Sequence, residues 1–132
     1  MSTPYQKILN VFHSKIQSTI PIPEDLEKQF FESALGEFSL DLYELTYDGT
    51  NGLINEDLGR AEISLLGVLM HKAYQEREVD RFIKLNNLVG RDLSLTGTGD
   101  TKRMAMENLQ RIAKDAESMK HKLKENSFYD EG

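Results

Sequence analysis

Residues 63–70, ISLLGVLM, are apolar nearly all the way around a helix. A surface helix buries one stripe, so a segment of this kind has to run through the middle of a fold and be covered on most sides. Leu58, Ala61, Leu65, Leu66, Leu69, Met70 and Ala73 widen the stripe on both flanks, and Asn55 stands where an N-cap would open the helix. In a chain of 132 residues, one domain with a modest core, the other elements are therefore cover for this one helix.

The cover reads as helical too. Thr3 and Pro4 suit a helix start, Thr as N-cap and Pro in the first turn, and Ile8, Leu9, Phe12 and Ile16 place a short amphipathic helix over 4–17. Pro21 and Pro23 end it. Glu24 and Asp25 then open a second helix, where negative charge meets the macrodipole favourably, and Leu26, Phe30, Phe31, Ala34 and Phe38 mark its apolar face through about Glu37. Residues 39–45, SLDLYEL, alternate polar and apolar, as a short strand or an extended connector would, and YDGTNG (47–52) is turn chemistry.

Beyond Tyr74 the central stripe thins, although Val79, Phe82, Ile83, Leu88 and Val89 keep helical spacing until Gly90. A last helix starting at Asp100 or Thr101 carries Met104, Leu109, Ile112, Ala113, Ala116, Met119 and Leu123 on one face. The expected fold is mostly α: a small helical bundle of four to five helices with a long loop (40–54), a glycine-rich loop (91–100) and a long C-terminal helical arm. It is one domain, with a helical body over 4–90, a hinge over 91–100, the arm over 100–125 and a short tail over 126–132.

Composition narrows the function classes. There is no cysteine, which removes disulfides and thiolate metal sites, and no apolar run of 18 residues that could span a membrane. The N-terminal MSTPYQKILNVF lacks the basic and apolar regions of a secretory signal, so a soluble protein acting or assembled inside a cell is expected. Apolar content of 39% is low for a compact globule, as in a protein that completes its core with a partner. The net charge of −6 is uneven: residues 24–62 carry eleven acids against Lys28 and Arg60, whereas residues 102–124 carry seven basic residues against three acids. Such a dipole suits head-to-tail contact between identical subunits or docking on a charged partner, and unequal solvated helix faces would produce it as well.

The most chemically loaded stretch is LSLTGTGDTKR, residues 93–103. It is not a P-loop, which requires G-x-x-x-x-G-K-[ST] after a strand; here Gly97 and Gly99 are two apart and Asp100 follows at once. The residues read instead as a hinge, Gly97 and Gly99 freeing the backbone and Asp100 capping the next helix. YDGTNGLINED has a calcium-loop flavour, but aligning Gly52 with the sixth loop position leaves Tyr47, Gly49 and Leu58 where oxygen ligands belong. His13, His71 and His121 fall on three separate helices without ligand spacing, and no G-x-S-x-G is present. The expectation is a non-enzymatic protein without metal or cofactor. Lys102, Arg103, Arg111, Lys114, Lys120, Lys122 and Lys124 could suggest DNA binding, but Glu107, Asp115 and Glu117 interrupt them and the pI is about 5.1.

The order of features carries a resemblance. A P-Y-x-x-I-x-x-x-F helix (4–12) is followed by S-A-x-x-x-F (33–38), D-L-x-x-L (41–45), INEDLGRAEISLLGVLMHKAY (54–74), S-L-T-G-T-G-D-T-K-R (94–103) and S-F-Y (127–129). This order and spacing, over most of the chain, resembles the small helical head–tail connector (adaptor, or head-completion) proteins of tailed bacteriophages of Gram-positive hosts. The resemblance implies a non-enzymatic virion structural protein at the head–tail junction, assembled in the host cytoplasm. It further implies a twelve-membered homo-oligomeric ring that contacts the portal protein and the next neck or tail-completion protein, with DNA passing through without sequence-specific binding. A minor tail or tail-completion protein is the alternative, and a small helical DNA-binding or regulatory protein a more distant one.

Two surfaces are expected to matter. The C-terminal arm offers Lys102, Arg103, Met104, Leu109, Ile112, Met119, Leu123, Phe128 and Tyr129 to a neighbouring subunit or the portal, unless the arm folds back on its own body. The acidic residues Asp41, Asp48, Glu56 and Asp57 would face a basic neighbour or the DNA channel, where negative walls keep the phosphate backbone from sticking.

Overall fold

A computed structural model describes residues 2–16, 22–89 and 98–130; side chains are described throughout these except at 82, 85–89, 98–102 and 126–130. Among the described residues there are four helices, α1 (Tyr5–Lys15), α2 (Glu24–Asp41), α3 (Arg60–Val89) and α4 (Thr98–Asp130), and three two-residue strands, β1 (Thr3–Pro4), β2 (Tyr47–Asp48) and β3 (Leu53–Ile54). The fold is mostly α, and no described helix is long and apolar enough to cross a membrane.

Helix α3 is the axis on which α1, α2 and α4 all pack. Leu65, Leu66, Val68, Leu69 and Met70 are buried in one core with Ile8 and Phe12 of α1, Phe30, Phe31, Ala34, Leu35 and Phe38 of α2, and Ile112 and Ala116 of α4. The all-round apolar run has this physical meaning: three helices claim three sides of it. The α1 seat is the closest. A Cβ on Gly67 would lie 2.3 Å from Val11 Cγ1 and 2.7 Å from its Cβ, so the absent side chain is what lets α1 approach. Aromatic rings fill the α1–α2–α3 junction. Phe12 meets Phe30 at 6.0 Å and Tyr74 at 6.2 Å between centroids, and Tyr5 meets Phe31 at 4.6 Å, all edge-on.

Several expected boundaries move. Thr3 does not cap α1. It lies in β1, where its hydroxyl donates to the Glu56 carbonyl (2.9 Å) and accepts from Leu58 N–H (2.8 Å), so a tertiary contact claims the oxygen a cap would use. Residues 40–54 are not one long loop: Leu40 and Asp41 continue α2, and the rest holds a hairpin. β3 is central, pairing antiparallel with β1 (Thr3 opposite Ile54) and with β2 (Tyr47 opposite Ile54). The intervening turn is organised by Asp48, whose carboxylate accepts from Thr50 N–H (3.0 Å) and Asn51 Nδ2 (2.7 Å), and it closes at Gly52 with φ +65°, the left-handed conformation glycine adopts freely. Asn55 does not open α3, which starts at Arg60; its amide N–H and side-chain nitrogen donate to Thr46 instead.

The C-terminal helix begins at Thr98, so Gly99 and Asp100 lie in its first turn and Asp100 is not the cap; Gly97 lies outside the described residues. α4 continues to Asp130, taking in most of the segment expected to be a tail.

Candidate functional site

Among the described residues, the densest polar cluster joins the C-terminal half of α4 to the end of α2. Lys120 is 2% exposed. Its ammonium donates to Glu37 Oε2 (2.6 Å), Asp41 Oδ2 (2.6 Å) and Glu117 Oε1 (3.0 Å). Lys72 of α3 donates to both oxygens of the same Glu37, at 3.0 and 3.1 Å, so one carboxylate links three helices. A buried ammonium is tolerated only with such company, because an isolated one would lose hydration without replacement.

The titration behaviour follows from the geometry. Burial disfavours the charged form of Lys120, but the hydrogen bonds it donates to Asp41, Glu37 and Glu117 outweigh it and raise its pKa. Burial pushes the Glu37 carboxyl up, while Lys120 and Lys72 pull it further down, to a net value below the ordinary range. The Lys120 hydrogen bond lowers Asp41 in the same way. Glu37, Asp41 and Glu117 present oxygens within 4.8 Å of one another, a spacing a metal ion could use. The cation these oxygens hold is the Lys120 ammonium, which lies within hydrogen-bond distance of all three.

A groove of about 550 Å³ runs between α2 and α3, with Leu26, Phe30, Leu69 and Ala73 as apolar walls and Glu37 at one end. Its polar contributors Gln29, Ser33, Glu76 and Arg77 are exposed, and Glu37 is already committed to two lysines. The three histidines are engaged separately. His13 Nε2 is hydrogen-bonded to the Glu27 carboxylate across the α1–α2 seam. His71 is half-buried and stacked on Tyr74, its pKa lowered by burial and then by Lys15 and Arg111. His121 is exposed beside Glu125 at 3.1 Å on α4.

The residues expected to face a channel have local work. Asp41 is in α2 and paired with Lys120, so it does not belong to an acidic loop. Asp48 holds its own turn; the Asn51 side chain is the main cause of its lowered pKa. Glu56 accepts from Thr46 N–H (2.7 Å) and Thr46 Oγ1 (2.8 Å), and these bonds lower its carboxyl despite the opposing effect of burial. Asp57 is exposed.

The arm is likewise redistributed. Ile112 is in the core, Met119 and Leu123 pack against it, and Leu109 is half-buried, so the apolar face expected to meet a neighbour meets α3 and the body of its own chain. The helix needs an apolar partner, and α3 supplies one at once in a chain that folds back. Met104 (61% exposed) and Arg103 remain on the outside. The side chains of Lys102, Phe128 and Tyr129 lie outside the described ones.

Sequence reasoning missed Lys120 and Glu37 as a centre. A signal was present: Lys120 falls four residues after Ala116 and eight after Ile112, at a position of the apolar stripe where a charge is out of place. The partner 83 residues away carried no comparable mark. No protein-family model matches this chain, and neither does any curated protein or solved structure.

Proposed function

We propose that this chain is a non-enzymatic structural protein of a tailed-phage virion, an adaptor that forms a ring between the portal and the neck or tail and surrounds the DNA channel. The observation that carries the reading is the ordered series of segments from Pro4 to Tyr129, which resembles phage head–tail connectors over most of the chain. The geometry is in keeping with it. Glu37, Asp41, Asp48 and Glu56 hold a lysine, a turn and a loop of the protein itself. Their chemistry is scaffolding.

Direct DNA binding is less well supported. On α4 the exposed Arg103, Arg111, Lys114, Lys122 and Lys124 are interleaved with exposed Glu107, Asp115, Glu117 and Glu125, and a phosphate-tracking stripe would be more uniformly basic. A tail-completion role uses the same kind of scaffold and is separated by position in the particle. The test is co-expression with a tailed-phage portal protein, followed by electron microscopy. A twelvefold ring of this chain seated on the portal is expected. A chain that stays monomeric and off the portal, or that binds duplex DNA in a strongly salt-dependent way, would overturn the proposal.

A further inference from the structure

We infer that the C-terminal half of α4 is a detachable latch, closed by the ionised carboxylates of Glu37 and Asp41 around Lys120 and opened when they are neutralised, while α1, α2 and α3 stay folded. The inference does not depend on the proposed place in a virion.

Two features of the seat of α4 lead there. Its apolar anchoring is thin: in a helix of 33 residues, the buried apolar side chains among the described residues are Ala105, Ile112 and Ala116. Alanine buries little area, so only Ile112 contributes as a large core residue does. Met119 and Leu123 pack partly buried against the core, and the remaining fixings are polar. Gln75 Nε2 of α3 donates to the Ala105 carbonyl (3.0 Å) near the start of α4, and Lys120 is gripped by α2 near its other end. A region with few buried apolar contacts is where local opening costs least.

The closing contact responds to charge because it is asymmetric. Lys120 is buried, whereas the Glu37, Asp41 and Glu117 side chains are 28%, 35% and 68% exposed. Neutralising the carboxylates leaves a buried ammonium with weakened partners, and its way back to full hydration is for α4 to lift off. The groups facing Lys120 are Glu37 and Asp41 on α2, Lys72 on α3 through Glu37, and Glu117 on α4 itself, with Lys124 acting on Asp41. Lys72 favours opening once Glu37 is neutral, since two ammonium groups then share one uncharged partner. Both α2 carboxyls sit below their ordinary values in the folded chain. Their stabilisation is therefore full above the ordinary carboxylate range, about pH 4, and is lost as pH falls through the lowered values. Opening would uncover the Ile112–Ala116 face of α4 and the α3 surface beneath it.

Amide hydrogen exchange of the full chain, followed residue by residue from pH 7 to pH 3 and corrected for intrinsic rates, tests this. Protection of amides 112–124 should fall roughly a hundredfold while amides 65–79 of α3 change by less than about threefold. The Glu37→Gln, Asp41→Asn double variant should show the open pattern already at pH 7. Lys120→Met, which replaces the cation by an apolar chain of similar length, should keep α4 protected at both ends of the range. Loss of protection in α3 and α4 at the same pH would overturn the latch. So would an α4 that stays closed in the double variant, or a Lys120→Met chain that still opens with acid.

Discussion

Helices α2 and α4 both lie against the central α3, and they are held there by different physics. α2 is 18 residues long and buries Phe30, Phe31, Ala34, Leu35 and Phe38. α4 is almost twice that length and buries Ala105, Ile112 and Ala116. A fully buried large apolar side chain is worth about 1.5–3 kcal/mol, so α2 has four such anchors where α4 has one. α4 adds the partly buried Met119 and Leu123 and directed polar contacts, Gln75 to the Ala105 carbonyl and Lys120 to two α2 carboxylates. Apolar burial is insensitive to pH and forgiving of small shifts. Buried ion pairs depend on both, and removing one partner leaves the other exposed to the full cost of desolvation.

The contrast can be broken from either side. Phe38→Ala strikes the α2 seat, where Phe38 is fully buried and meets Tyr43 edge-on at 5.2 Å. A loss of about 3–5 kcal/mol is expected, seen as a lower urea midpoint for the entire chain, and an effect confined to α2 would contradict the single shared core. Gly67→Ala should cost about 3 kcal/mol, at the upper end for overpacking, because Val11 is β-branched and cannot rotate away. The companion change Val11→Gly together with Gly67→Ala removes both the Cγ1 and the Cβ that the new methyl would meet, and should restore part of that in thermal melts; no restoration would mean the clash is not the cause.

Lys120→Ala is expected to cost about 2 kcal/mol, and the loss should appear in the exchange of α4 amides before those of α3. A uniform loss across both helices would erase the distinction drawn between them. The smallest effect is predicted at Tyr5. Its hydroxyl oxygen is buried without a hydrogen-bond partner among the described residues, and burial, then Glu27, Tyr47 and Glu24, push its pKa up to about 12. Removing an unsatisfied group relieves desolvation, so Tyr5→Phe should be neutral or stabilising by up to about 1 kcal/mol. A clear destabilisation would reveal a partner for that oxygen.

The helical content, the central position of residues 63–70 and the turn at 47–52 were legible because each rests on local periodicity or local turn chemistry. Thr3 and Asn55 show the limit. Both are good caps by type, and both were claimed by partners far along the chain, Thr3 by residues 56–58 and Asn55 by Thr46. The acidic set Asp41, Asp48, Glu56 and Asp57 looked like one loop because the residues are close in number. The fold assigns the first to a helix end, the second to a turn and the third to a clasp on Thr46.

By itself the sequence determined that one helix must be enclosed, that other helices with single apolar faces would enclose it, and that charge would be segregated along the chain. Whether the last helix would project or fold back was a question of which apolar surface it meets, and a periodic stripe carries no address. Only the tertiary structure decided that the surface is α3 of the same chain. It also decided that part of the acidic surplus is neutralised internally by Lys72 and Lys120. The physical reason is common to both outcomes: burial and ion pairing depend on three-dimensional proximity, and Glu37 and Lys120 become neighbours only after the helices between them have packed.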